Sequence, residues 1–307
     1  MQVQILDWDN YLKLVDYIDN NQFKQEFWSP IALASWSCYG IKFAFNILEN
    51  KKGVLFYIYN ENNSSPTWKL TSCFYQDNVT FFDVIPMIKN DLNFLNHDHS
   101  NVIRYSLISE NMIQDWKINF SIENKQIFTT NYVYYLDNFK TFGGKKLQKK
   151  RNHLNYFLTN YSGNVEIKNI QDVSDDDILN YCKEHILEYQ NQENLNEMKT
   201  YEEFIRNQRK VSNKFKGIVI YINNKIEAIT LCYTRTSVCE IIIEKASQTI
   251  RGLYQYLISQ NLLFNNINQM YMDRQDDADS EQLRKSKLSY YPVYTIKRYS
   301  SDDEIVV

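Results

Sequence analysis

Glycine and proline are scarce in this chain of 307 residues, numbering 7 and 4. Beside an aromatic share of 15%, that scarcity excludes a collagen-like or disordered chain and describes an ordered globular protein. Charge of one sign is lacking too. The 34 basic and 37 acidic residues leave a formal charge of −3, which excludes a globally basic nucleic-acid coat or a strongly acidic tail. Nucleic acid would have to meet a local patch. No apolar run reaches the roughly 18 residues that a membrane-spanning helix needs. The start, MQVQILDWDNYLKL, has no basic-then-apolar signal pattern, so a cytoplasmic protein without a transmembrane segment is expected. The five cysteines are scattered and show no CxxC spacing, which argues against a disulfide framework or a zinc site. His97 and His99 fall in a polar loop without the spacing of a metal helix, and Cys182 lies on an apolar helix face, as an inert buried thiol would.

What is present is a long run of alternating structural signals. At this length about three quarters of the unfolded surface can be buried, and two domains, or one large one, are expected. Tyr11, Leu14, Val15 and Ile18 recur at helical spacing. VLFYIY (54–59) and WKLTSCF (68–74) read as a hairpin around the ENNSSP turn. A helix is expected from about Val84, with Pro86 in its first turn, and then a strand over 102–108. All five tryptophans lie in this first half, so the halves should have separate cores, with domains over 1–128 and 129–307. The second half opens with NYVYYLDNF (131–139), two glycines and a basic helix over 145–161. Helices starting at Ser174 and, through a Thr200–Glu203 capping box, at Thr200 come next. Strands over 217–222, 226–234 and 238–246 follow, the first two joined by an Asn223–Asn224 turn. Helix 251–264, strand 269–274, helix 280–291 and strand 293–299 end the run. This order predicts an α+β fold whose mixed sheet has helices on both faces.

The most suggestive single feature is the basic helix. Lys145, Lys146, Lys149, Lys150, Arg151 and His153 fall in one short stretch without an acid, suited to the phosphates of a transfer RNA, a CoA or a lipid head group. A solvated helix face is the alternative. Arg284, Lys285 and Lys287 could likewise clamp a phosphate or a carboxylate, or simply face water.

Three blocks, GGKKLQKKRNHLNYF (143–157), IEKASQTIRGLYQYL (243–257) and YMDRQDDADSEQLRKSKLSYYPV (271–293), resemble the hallmark set of the DUF2156 family. That family is similar to the carboxy-terminal catalytic domain of phosphatidylglycerol lysyltransferases. In the first half the resemblance rests on SPIALASW (29–36) and the strand near residue 55. It implies two GCN5-related N-acetyltransferase (GNAT)-like domains in tandem, each with a mixed, mostly antiparallel sheet flanked by helices, and the site mainly in the second. The implied activity is transfer of an aminoacyl group from aminoacyl-tRNA, or of an acyl group, to an amine or hydroxyl. The acceptor would be a small molecule, a peptide or a lipid head group, and transfer RNA would meet the basic helix at 145–153. An acyl-CoA-dependent N-acetyltransferase is the second reading.

The same resemblance implies site roles. Glu244 is placed as general base, with an ion pair to Lys245 or a helix-capping contact as its alternative, and Tyr290 as the acid that protonates the leaving group, with core packing as its alternative. Lys149, Lys150, Arg151, Lys245, Gly252, Tyr254, Arg274, Asp277, Arg284, Lys285 and Lys287 complete the substrate- and donor-binding set. The family commonly has Asn-Arg-Glu-x-Asp-x-Gly where this chain has Asp273 to Asp279. Arg274 and Asp277 match, whereas Asp273, Gln275 and Asp279 depart. An amide at 275 cannot titrate, which motivates a third reading, a binding module on the same scaffold. The pyrophosphate loop is altered as well, since Tyr254 replaces its last small residue.

Overall fold

The computed structural model describes residues 3–21, 36–51, 53–76, 78–99, 101–116, 127–189, 195–211, 213–235, 237–299 and 304–306. The chain divides into two compact units, Met1–Thr130 with Ile296–Val307, and Asn131–Thr295. Most of SPIALASW, residues 29–35, lies outside the described residues.

In the first unit β1 (Gln4–Ile5), β2 (Ile41–Leu48), β3 (Gly53–Asn60) and β4 (Lys69–Tyr75) form an antiparallel sheet in that order. β2 escaped the strand signals above, although Ile41, Phe43 and Phe45 do alternate onto one face. That face packs on Leu14 and Ile18 of helix Trp8–Asn21. The opposite face, with Leu55, Tyr57, Leu70 and Cys73, packs on Phe81, Val84, Ile88 and Leu92 of helix Phe81–Asn96. This second helix starts three residues before the expected Val84. The Asp83 carboxylate accepts the Thr80 backbone N–H at 2.9 Å, fixing the start there and leaving Pro86 beyond the first turn. The single strand expected over 102–108 is broken. Leu107 adopts φ +58°, so β5 (Val102–Arg104) pairs with β14 (Glu304–Val306), while β6 (Ile108–Ser109) pairs with Arg298–Tyr299 of β13 (Tyr294–Tyr299).

In the second unit the sheet order is residues 131–135 of β7 (Ile127–Tyr135), then β12 (Tyr271–Asp273), β11 (Val238–Ala246), β10 (Lys225–Thr234), β9 (Phe215–Ile222) and β8 (Val165–Asn169). Only β11 and β12 run parallel among these. The β9–β10 turn has positive φ at Asn223 and Asn224, which asparagine tolerates better than most residues. One face carries Leu154 and Phe157 of helix Gln148–Tyr161, Leu253 and Leu257 of helix Leu253–Phe264, and Phe139. Lys145 and Lys146 precede the basic helix instead of forming its first turn. Helix Asp175–Tyr189 contributes buried Ile178, Cys182 and Ile186, and its Ser174 hydroxyl accepts the Asp177 N–H at 3.4 Å. Helix Leu195–Asn207 begins five residues before Thr200. The Thr200–Glu203 spacing therefore lies inside a helix whose Tyr201, Phe204 and Ile205 are buried; an i, i+3 pair alone cannot tell a helix start from its interior.

Two irregularities in this sheet create the site. β10 and β11 lose register between Leu231 and Cys232, where Ile242 becomes the extra residue of a bulge. β11 and β12 pair only at Val238–Tyr271, Cys239–Met272 and Glu240–Asp273, because β12 ends there.

Candidate functional site

Past Glu240 and Asp273 the backbone pairing gives way to side chains. Arg274, the first residue after β12, donates from Nε to one Glu244 oxygen at 3.1 Å, and from Nη2 to both, at 2.7 and 2.9 Å. Arg274 and Glu244 side chains are only 14% and 10% exposed. A buried guanidinium persists when an anion meets its fork. Burial alone would lower the Arg274 pKa, but the Glu244 carboxylate outweighs it and holds the value above the ordinary range.

Aromatic rings back the pair. The Tyr290 ring stacks on Phe139 with centroids 5.3 Å apart, and the Arg274 guanidinium lies 4.8 Å from the Tyr290 centroid and 5.6 Å from that of Phe139. The Tyr290 hydroxyl accepts a hydrogen bond from Gln255 at 2.7 Å. Burial raises the pKa of this phenol, so it stays protonated at neutral pH. Lys150 brings its Nζ 3.9 Å from the same ring centroid. Burial, and then repulsion from Arg274, push this lysine down to about 8.

The segment after β12 holds Arg274 by its backbone. Lys287 donates to the carbonyls of Arg274, Gln275 and Asp276, the middle bond being 3.1 Å, and burial lowers its pKa to about 8. Asp277 accepts from Tyr132 at 2.6 Å and from Arg284 at 2.8 Å. Burial works against the Asp277 charge, yet Arg284 and Tyr132 bring its pKa below the usual carboxylate value.

The three departures from the family pattern keep this loop intact. Asp273 accepts the Gln275 N–H at 2.7 Å and the Asn131 amide at 2.9 Å; the first contact is an Asx turn that aspartate or asparagine can make. Gln275 acts through its backbone, its carbonyl also accepting from the Tyr132 N–H at 3.2 Å. Asp279 sits at φ +57°, a conformation natural to the family's glycine and more tolerable for aspartate than for most residues.

The structure thus gathers Glu244, Tyr290, Lys150, Arg274 and Lys287, with Asp277 in the adjoining loop and Arg284 on helix Glu281–Leu288 beside it. Other expected residues lie elsewhere. Lys245 points away from Glu244, as neighbours on a strand do, and pairs with Glu197 at 3.0 Å. Glu244 therefore has Arg274, not Lys245, as its partner. Arg151 donates to the carbonyls of Phe142 and Gly144 at 2.9 and 3.0 Å. Gly252, at φ +88°, serves helix packing, since a Cβ there would lie 2.0 Å from the His153 carbonyl oxygen. Tyr254 packs at the core margin, Lys285 pairs with Glu281 on the surface, and Lys149 is exposed. Phe139, Gln255 and Tyr132 join the site with no sequence signal to separate them from other residues of their kinds. Among the described residues no cluster of His, Cys, Asp or Glu could hold a metal, and no helix is long and apolar enough to cross a membrane.

A bulged strand that parts from a parallel neighbour, repeated in two α+β units, defines the class: the fold is that of tandem GNAT and FemX-like proteins. The chain belongs to the phosphatidylglycerol lysyltransferase, C-terminal family, whose pattern matches residues 90–301. An uncharacterised protein of Mycoplasmoides gallisepticum is 30% identical over 310 residues, covering 96% of this chain and 97% of its own. A conserved protein of unknown function from Bacteroides thetaiotaomicron has a TM-score of 0.76 at 19% identity, over 97% of this chain and 99% of its own. L-PGS from Bacillus licheniformis gives 0.57 at 13% identity, over 94% and 90%.

Proposed function

We propose that the chain is an aminoacyltransferase that takes an aminoacyl group from aminoacyl-tRNA and passes it to an amine or hydroxyl acceptor, with its site in the second unit. The observation that carries this reading is the Glu244–Arg274 pair, set where β11 and β12 part and backed by Tyr290. The membership of a lysyltransferase family supports the reaction type.

In this reading Glu244 orients Arg274 and does not act as the base, because both its oxygens accept from the guanidinium. The positive charge of Arg274 stabilises the oxyanion formed as the acceptor adds to the ester carbonyl. The new bond joins the acceptor heteroatom to that carbon, and the ester C–O bond then breaks. The departing ribose oxygen takes a proton from the Tyr290 hydroxyl, which the acceptor's own proton restores. Proton transfer of this kind contributes about a hundred- to ten-thousand-fold in rate.

The test is incubation of the full chain with bulk aminoacylated tRNA and a panel of soluble amines, peptides and glycerophosphate-type acceptors. Transfer is expected, with Tyr290→Phe lowering it by about a hundredfold or more while the protein stays folded. Turnover of acyl-CoA in its place, with charged RNA inert, would replace this reading by the N-acetyltransferase one. Turnover of neither would leave a binding module.

A further inference from the structure

Lys150 differs from every other lysine of the basic segment. Lys145, Lys146 and Lys149 are exposed, whereas Lys150 is half-buried. Its Nζ lies 3.9 Å from the Tyr290 ring centroid, and Arg274 repels it. A desolvated cation held against another cation is unfavourable without an anion, and a cation–π contact offsets only part of that. The Glu244 carboxylate is taken up by Arg274.

The same positive field reaches His153. His153, one turn along the same helix, is half-buried, and its pKa is lowered by burial, then by Arg251 and by Lys150. The exposed Arg251 sits 4.6 Å from the Tyr156 ring centroid, on the segment that leads into helix Leu253–Phe264. Lys150 on its helix and Arg274 at the end of β12 thus meet beside the Tyr290 ring. Glu244 on β11 and the Tyr290 phenol are the acidic groups beside them.

We propose that the Lys150 ammonium and the Arg274 guanidinium, which both lie beside the Tyr290 ring, form a binding site for one phosphate group. The charge geometry selects phosphate over carboxylate. The Arg274 fork that would match a planar carboxylate already holds Glu244, while a lysine ammonium is a point charge suited to a tetrahedral oxyanion. This deepens the transferase reading, on which its role as a substrate subsite rests, but the binding itself is measured without any transfer reaction.

The experiment titrates the full chain by calorimetry with three phosphate probes, inorganic phosphate, glycerol 3-phosphate and a short single-stranded RNA ending in CCA. The comparison is among the wild type, Lys150→Met, Lys150→Arg and, as a control for net charge, Lys183→Met on helix Asp175–Tyr189. Lys150→Met should weaken each probe that binds by about ten- to a hundredfold, the worth of a charge-assisted contact, with Lys183→Met unchanged. Wild-type affinity should fall as pH rises through about 8, where Lys150 loses its proton, and Lys150→Arg should remove that fall because arginine stays charged. A probe bound best names the phosphate source. Equal affinities of wild type and Lys150→Met, or no binding of any probe at millimolar concentration, would overturn the site. If phosphate binds as predicted and no aminoacyl transfer is found, the site stands and the transferase reading falls; transfer without Lys150-dependent phosphate binding does the reverse.

Discussion

The two units share one plan and fill it with opposite chemistry. Each runs three antiparallel strands, a helix, a short stretch that bridges the third strand in parallel, and another helix. In each the third strand is bulged, at Thr71 in β4 and at Ile242 in β11. In the first unit β4 meets its parallel neighbour at Leu70–Tyr105, and Leu107, Ile108, Met112 and Trp116 follow, all buried. Trp116 stacks on Phe81 at 4.7 Å. In the second unit Glu244, Arg274, Lys150 and Lys287 surround the corresponding opening. The scaffold is thus compatible with a mainly apolar lining there, although Ser109 and Arg298 are buried beside it. The polar filling of the second unit is what the proposed transfer would use, since a fold does not of itself demand a site.

Making the second unit resemble the first gives the largest expected effect. Glu244→Leu alone strands a buried guanidinium and should cost about 3 to 5 kcal/mol, the usual loss when one partner of a buried pair is removed. Denaturant unfolding measures it. Adding Arg274→Met should restore most of that stability, because a buried pair replaced by apolar groups of similar volume is often neutral, while transfer stays absent in both variants. A double variant as unstable as the single one would mean that the pair is structural, and the contrast between the units would lose its functional meaning.

Acid should separate the units by sign. Asp91 of the first unit is buried and accepts from Tyr57 at 2.6 Å and from Asn46 at 2.9 Å. Burial raises its pKa more than these neutral donors lower it. Its protonation therefore favours the folded state, and the first unit gains from this group as pH falls from the raised value toward that of the unfolded chain. Asp277 has the opposite shift, held down by Arg284 and Tyr132. Its contribution is present above the unfolded pKa and is lost as pH falls through the folded one. Amide hydrogen exchange followed from neutral pH to about pH 3, just under the ordinary aspartate value, should show protection declining around Tyr132 and Asp277 while it holds around Tyr57 and Asp91. Equal decline in both places would contradict the assignment.

Much of this contrast was legible in the sequence, for identifiable reasons. Strand and helix periods in the second half are long and regular, and the blocks at 143–157, 243–257 and 271–293 point to the family that residues 90–301 match. Glu244, Arg274, Tyr290 and Lys150 could be named because they lie within those blocks. Their pairing could not. Whether Glu244 meets Lys245 or Arg274 depends on which face of β11 each side chain occupies, and the bulge at Ile242 shifts that count. Gly252, which the resemblance places in the donor-binding set, admits the His153 carbonyl, because a glycine records a close approach without recording what approaches. The break at Leu107 was hidden for a similar reason, since a leucine at positive φ is imposed by its surroundings and has no local signature.

The smallest expected effect tests what the departures at 273 to 279 mean. If residue 275 acts through a titrating side chain, Gln275→Glu should raise transfer several-fold and add a new ionisation to its pH profile. The structure argues otherwise. The Gln275 N–H and carbonyl hold the loop to Asp273, Tyr132 and Lys287, and these backbone contacts survive the change of an amide to a carboxylate. Gln275→Glu should therefore leave stability within about 0.5 kcal/mol of the parent, as substitutions away from packed or paired groups do, and leave the rate and its pH profile close to those of the parent. A large gain in transfer would instead show that the second unit had lost a proton carrier at position 275, in spite of its Glu244–Arg274 pair.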